Sequence, residues 1–485
     1  MKKTLTNIFY SCCVQLLGII VPLITSPYIS RILRPTNLGI YTYIDSVSQV
    51  FMTIGLIGLS NYGIREIAYS KDNKKERSKT FFEIMILRII LLAISYFCYC
   101  FFMKGTKYEM YSIYQIIWFA GSFLDVVWVF NGLEDFKTVV LRTVLVKTVN
   151  VFCIFIFIKS PADLLKYILL MGICQALGTL ICYKNLKRVL EIPNFKELNI
   201  FRHLIPTLKI ALPQIVTLVF YQMDKIMLEW ILDDSAVLAF YDLADKIVKI
   251  PVTAITAIST VMLPKSSKYF IDNDHAGLTK SLQATVDFSI MLIIPMCLGL
   301  MSISCGFVPW FYGSEYLEVS YIIITLCPVI IARGLSSISS SQYLVPTKNT
   351  RYLTYSSVFA AIINVVINFI TIPILGVYGA VLGTIFAEFS VTIIQFYYML
   401  KDIKIKDFKS WSPETPHLKI KDMSRSFIRY TLFGCIACGC SLVVWYLLDT
   451  HIYTTVLQIG CAMIVYLGLL VVSKDKLLEN IHFKK

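Results

Sequence analysis

Long apolar runs broken by short polar clusters organise this chain. They fall at 8–33, 38–60, 81–103, 111–131, 140–158, 164–183, 205–231, 236–263, 283–309, 319–343, 353–374, 377–400, 428–448 and 453–473. Each is close to the roughly 20 residues that carry a helix across about 30 Å of hydrocarbon. The pattern predicts an all-α integral membrane fold of about 14 transmembrane helices. The breaks carry turn chemistry, as in Pro35-Thr36-Asn37, Lys104-Gly105-Thr106, Pro161, Asp233-Asp234-Ser235 and Gly376.

Composition agrees: 57% of residues are apolar and 16% charged, with a mean hydropathy of +0.69. A soluble domain is nearer 45–50% apolar and about 25% charged. The net charge of +14 does not indicate nucleic-acid binding. Its basic residues form short clusters between apolar runs, with no zinc-finger spacing or long basic arm; they suit loops beside anionic headgroups.

Those clusters also set the orientation. With the N-terminus inside and sides alternating, one set of loops carries 33 Lys and Arg and the other 5 (Arg31, Arg34, Lys104, Lys107 and Lys159). The excess belongs in the cytoplasm, which places both termini there. The loops imply a six-helix bundle over 1–204, a second over 205–402, a cytoplasmic linker over 403–427 containing Pro413 and Pro416, and two further helices with a tail over 428–485. Arg31-Ile32-Leu33 with Tyr41 is faintly echoed by Trp230-Ile231-Leu232 with Phe240 and Tyr241, as suits a transporter built from repeats.

The 14 cysteines lie largely inside apolar runs. Cys435, Cys438 and Cys440 form a CxxCxC string, but no His or carboxylate is close enough to complete a metal site, so they read as small core residues. The first run follows Met1-Lys2-Lys3, is long and lacks a small-residue cleavage site; it reads as a span rather than a cleaved signal.

Ionisable residues at membrane depth are the informative ones, since each costs about 2.5–3.5 kcal/mol at a helix centre and needs a partner or a wet cavity. The candidates are Asp45, Arg88, Asp125, Asp224, Lys225, Glu229, Asp242, Asp245, Lys246, Lys249, Asp287, Arg333 and Glu388, with Arg31 at the outer end of the first span. Glu229, Lys249 and Asp287 lie near span edges and read as structural. Asp224-Lys225 and Asp245-Lys246 are adjacent pairs on neighbouring helices; they either bridge each other or line a polar cavity for an anionic headgroup and a coupling ion. Pro22 and Pro27 are expected to interrupt the first span, Pro213 the seventh, Pro295 the ninth and Pro328 the tenth.

Several stretches resemble Wzx-type O-antigen flippases. They are Pro22-Leu23-Ile24-Thr25-Ser26-Pro27-Tyr28-Ile29-Ser30-Arg31-Ile32-Leu33 with Leu38-Gly39-Ile40-Tyr41, and Asn61-Tyr62-Gly63-Ile64-Arg65-Glu66-Ile67-Ala68. Asn131-Gly132-Leu133-Glu134, Asp224-Lys225-Ile226-Met227-Leu228, and Tyr241 with Ala244-Asp245-Lys246-Ile247 continue the series. It ends with Gly376-Val377-Tyr378-Gly379-Ala380, Gly383-Thr384 and Ala387-Glu388. Arg34-Pro35 departs from the Leu-Gly that the family more often carries after the arginine, where glycine permits a tight turn.

The resemblance implies a MATE-like exporter with its two bundles in a V. It implies movement of undecaprenyl-diphosphate-linked oligosaccharide from the cytoplasmic to the outer leaflet, with lipids, a polysaccharide polymerase and a chain-length regulator as partners. No cofactor is implied, beyond a coupling proton or sodium ion. Depth, sign and motif position nominate Arg31, Arg88, Lys225, Lys246 and Arg333 for the substrate, and Asp125, Asp224, Asp245 and Glu388 for the coupling ion. A MATE-type drug exporter is the alternative; it would favour carboxylates and aromatics over these cations. A polymerase or lipid-linked glycosyltransferase would carry a large outer loop, and every outer loop here is short. No catalytic triad or phosphate-cradling loop is present, so the chain reads as a transporter, not an enzyme.

Overall fold

The computed structural model describes residues 2–405, 420–448 and 450–475, and its regular elements among these are helical. In order they are α1 (Lys2–Leu56), α2 (Leu59–Tyr69), α3 (Lys74–Met103), α4 (Glu109–Ile113), α5 (Ile116–Phe123), α6 (Val127–Gly132), α7 (Phe136–Phe157), α8 (Leu164–Val189) and α9 (Leu204–Leu232). Then follow α10 (Ser235–Ile271), α11 (His275–Phe311), α12 (Leu317–Leu326), α13 (Pro328–Ser339), α14 (Arg351–Leu375), α15 (Val377–Ile405), α16 (Ile420–Leu447) and α17 (Ile452–Val472). Among the described residues, 11 helices are long and apolar enough to cross a membrane, or 12 with the bent pair Ser314–Leu326 and Pro328–Leu344. Most of the linker before α16 lies outside the described residues.

Helix starts follow local chemistry. Asn73 caps α3 by accepting the Glu76 amide at 3.1 Å, Asp135 caps α7 through the Thr138 amide at 3.3 Å, and Asp274 caps α11 through the Gly277 amide at 2.7 Å.

The prolines behave less simply than expected. α1 runs through Pro22, Pro27 and Pro35, and its non-helical residue is Arg34, at φ 64° and ψ 167°. α1 is thus two helices joined at Arg34, one residue before the expected turn. Pro22 and Pro27 do not break the helix. Pro328 does coincide with a break, a 47° bend.

The fourth apolar run is not one helix. It is divided among α4, α5 and α6, and unwinds around Leu124–Val126.

The chain separates into two compact units, Met1–Glu229 with Asp234–Ala239, and Trp230–Asp233 with Phe240–Lys485. The first is centred on Leu59, Tyr62, Ile84, Trp128 and Phe130. Close packing explains two of its motif glycines. A Cβ on Gly63 would lie 2.5 Å from the Trp128 ring, and one on Gly39 would strike the Ser235 carbonyl at 1.6 Å.

The second unit is built on α11, with Leu282, Val286, Ile290 and Ile294 packed against Tyr430, Tyr466 and Leu470 of α16 and α17. Polar bonds reinforce that packing: Tyr466 donates to the Met291 carbonyl at 2.8 Å, and Trp310 Nε1 to Thr455 at 2.8 Å.

Candidate functional site

The second unit gathers six charges on three helices. α10 carries Asp242, Asp245, Lys246 and Lys249, which read as two interleaved i,i+4 pairs. Lys246 meets Asp242 at 2.6 Å and Lys249 meets Asp245 at 2.5 Å. Both carboxylates are buried, while the lysine side chains are 43% and 42% exposed. Beneath them Arg333 of α13 donates to Glu388 of α15 at 2.7 Å and lies 3.7 Å from Asp245. The six formal charges cancel.

The lysine pair thus presents two ammonium groups on one face of α10, each braced by a buried carboxylate. Residues one apart on a helix do not face each other, so Asp245 and Lys246 take partners four residues away. Two resembling stretches meet here as well, Tyr241 Oη lying 2.8 Å from Thr384 Oγ1.

In the first unit Arg88 of α3 is 2% exposed. Its Nε donates to the Ser122 carbonyl at 2.7 Å, Nη1 to Ser60 Oγ at 3.2 Å and Nη2 to Asp125 at 3.4 Å. Asp125 sits in the unwound segment, where its carboxylate also accepts the Val127 amide at 3.1 Å. Arg88 therefore satisfies a helix end opened at membrane depth, where an unpartnered carbonyl costs several kcal/mol. Elsewhere in this unit, Asp224 is buried and Lys225 half-buried on α9, and Arg31 is exposed on α1 one turn before the Arg34 break. The structure thus unites Asp245, Lys246, Arg333 and Glu388, and joins Arg88 to Asp125.

Two further polar systems lie outside the nominated site residues, one around Glu83, which is not a sequence candidate, and one around Glu229, which the sequence reads as structural. Glu83 of α3, fully buried, receives Arg202 at 2.6 Å, His203 Nε2 at 2.9 Å and the Asn199 amide at 2.6 Å. His203 Nδ1 accepts from Tyr62 Oη at 2.8 Å, so a motif tyrosine anchors the loop leading into α9. Burial pushes the His203 imidazole below its ordinary pKa, against the opposing pull of Glu83. The other system surrounds buried Glu229, which takes Lys107 at 3.0 Å and Ser235 at 3.2 Å, and also bonds Tyr108. The Lys249 register was legible as Asp245 plus four; the partners of Glu83 lie more than 100 residues away and left no local signal. Among the described residues no group of three or more His, Cys, Asp or Glu is placed to hold a metal ion.

The profile of a family described as polysaccharide biosynthesis protein matches residues 4–270, more than half of the chain. The chain belongs to this family. Its relatives include a protein named "Putative O-antigen transporter" from Shigella dysenteriae, 26% identical over 424 residues, covering 83% of this chain and 100% of that protein. The lipid II flippase MurJ of Bacillus subtilis is 28% identical over 155 residues, 31% of this chain and 28% of that one. Among solved structures, an inward closed lipid II flippase MurJ has a TM-score of 0.69 at 16% identity, covering 97% of this chain and 99% of that one. An inward-facing MATE family transporter has a TM-score of 0.64 at 14% identity, covering 82% and 96%. At such identities the structural likeness speaks for the fold alone, which is MurJ- and MATE-like. The expected resemblance to Wzx-type flippases is borne out, and this member of the polysaccharide biosynthesis family is a multi-pass protein of the bacterial inner membrane.

Proposed function

We propose that the protein is a flippase carrying undecaprenyl-diphosphate-linked oligosaccharide repeat units from the cytoplasmic to the outer leaflet. The observation that carries the reading is the Lys246–Lys249 pair. It lies about 17 Å along α10 at 1.5 Å per residue, near the middle of a span, where uncompensated charge is costly. Two half-exposed ammonium groups held by buried carboxylates suit a diphosphate, and they disfavour the organic cations of a drug exporter. The names of the relatives support the same class of cargo.

The topology proposed with it is 14 spans with both termini cytoplasmic. The 50-residue segment Ile20–Tyr69 carries two of them across the Arg34 break, and α9 is a further one. Residues 1–204 and 205–402 are proposed as the two six-helix bundles, arranged in a V and working by alternating access, with a polymerase and a chain-length regulator as partners. Arg31, Lys225 and Arg333 complete the proposed substrate set; Arg88, first nominated with them, is committed to the Ser122 carbonyl, Ser60 and Asp125. Two negative charges moving outward through an inside-negative 100 mV gain roughly 4–5 kcal/mol, at about 2.3 kcal/mol per charge. Asp125, Asp224, Asp245 and Glu388 are proposed carriers of a coupling proton or sodium ion.

The test is transport of a fluorescent undecaprenyl-diphosphate oligosaccharide in proteoliposomes. Lys246→Ala with Lys249→Ala is expected to lower the rate at least tenfold at equal folded yield. An unchanged rate would make those lysines structural, and wild-type uptake of an organic cation in place of the lipid would overturn the flippase reading.

A further inference from the structure

α14 and α15 form a hairpin that turns at Gly376, whose φ is 60°. Along this hairpin runs an apolar groove. One stretch of about 550 Å³ is lined by residues that include Ile362, Val366, Phe386, Phe389 and Ile393. A second of about 400 Å³ is lined by Tyr355, Phe359, Ile393, Ile394, Tyr397 and Tyr398. Ile393 borders both, so the two are continuous. Its one polar lining residue in the first stretch, Ser390, spends its hydroxyl on the Ala387 carbonyl at 2.7 Å.

The two ends of the groove differ in charge. Arg351 lies one turn before Tyr355 and Lys401 one turn after Tyr397, both exposed. Tyr352 and Tyr398 stack at 3.9 Å, which brings the two helices together at this end. The Arg351 guanidinium sits 4.8 Å over the Tyr352 ring, and Lys401 Nζ 5.8 Å from the Tyr397 ring. Nearby Asp402 is engaged by Asn349 Nδ2 at 2.5 Å. At the opposite end Phe369, Ile370, Ile374 and Leu375 are exposed and apolar up to Gly376.

We propose that this groove binds an anionic phospholipid of the cytoplasmic leaflet, its acyl chain along the apolar lining and its phosphate at Arg351 and Lys401. From Tyr355 to Ile367 the groove spans about 18 Å at 1.5 Å per residue. One leaflet is about 15 Å deep, half of the roughly 30 Å hydrocarbon core. The groove therefore fits a chain confined to one leaflet better than a long polyprenyl tail. Tyrosines at the rim with cations just beyond them are the arrangement expected at a headgroup boundary, and basic pockets between spans on the cytoplasmic side select anionic headgroups. The choice of leaflet rests on the cytoplasmic placement of basic loops proposed above; the lipid chemistry does not depend on transport.

The experiment is native mass spectrometry of the full-length protein in detergent, titrated with phosphatidylglycerol or phosphatidylcholine and no transport substrate. Wild type is expected to retain one phosphatidylglycerol in preference to phosphatidylcholine. Arg351→Gln with Lys401→Gln is expected to reduce that preference about thirtyfold, from the contribution of two cations near an anionic phosphate. Val366→Trp, at a half-exposed position in the lining, is expected to weaken both lipids while leaving the preference intact. Equal binding of the two lipids by wild type, or a preference undiminished in the double variant, would overturn the proposal. If undecaprenyl phosphate displaces phosphatidylglycerol from wild type, the groove belongs to the substrate tail and the phospholipid assignment falls.

Discussion

Arg88 and Arg333 are the same residue type, both buried in apolar helices, and they answer burial differently. Arg88 serves an opened backbone: its shortest bond, 2.7 Å, goes to the Ser122 carbonyl, and its carboxylate partner Asp125 is 3.4 Å away and 24% exposed. Arg333 joins side chains on neighbouring helices, with its shortest bond to the Glu388 carboxylate and Asp245 shared with Lys249. The first is repair of a broken span; the second is a balanced network whose outer members reach a half-exposed face. An arginine at membrane depth therefore does not by itself announce a substrate contact. Its partners decide.

Removing each guanidinium separates the two roles. Arg333→Ala takes the close cation from buried Glu388 and is expected to cost about 3–5 kcal/mol, read as lost thermal stability of the detergent-solubilised protein. Adding Glu388→Ala should restore much of that loss. Arg88→Ala should cost less, about 2–3 kcal/mol for hydrogen bonds to a charged group, and Asp125→Ala should not rescue it, because the Ser122 carbonyl keeps only the long bond from the Asp125 amide at 3.4 Å. Rescue by Asp125→Ala would make Arg88 a plain ion-pair residue like Arg333.

A third arginine gives the smallest effect. Arg34 holds φ 64° and ψ 167°, a region that glycine favours and that costs other residues about 1–3 kcal/mol. Arg34→Gly is expected to raise stability by about 1 kcal/mol in the same melt. A fall would mean that the side chain contributes more than its backbone conformation costs.

Some of this contrast was legible in the sequence. The Asp242–Lys246 and Asp245–Lys249 pairs follow from residue spacing on one helix, and Arg333 and Glu388 stood out as charges inside apolar runs. The role of Arg88 was not legible, because Asp125 marks a charge in the run 111–131, but a lone carboxylate does not distinguish an unwound segment at Leu124–Val126 from a charge on an intact helix. The prolines misled too: the helix runs through Pro22 and Pro27, while the break fell on Arg34, where the proline after it disfavours helical geometry.

Hydropathy, loop charge and motif order by themselves determined that the chain is a helical multi-pass membrane protein of the flippase family, because the bilayer imposes length and apolarity on every span independently of the others. Which charges answer one another was left to the tertiary structure. Glu83 finds His203 and Arg202 across more than 100 residues, and Arg333 takes Glu388 on another helix while Lys246 turns back to Asp242. Such pairings depend on helix rotation and depth, which packing against neighbours sets and no single segment encodes.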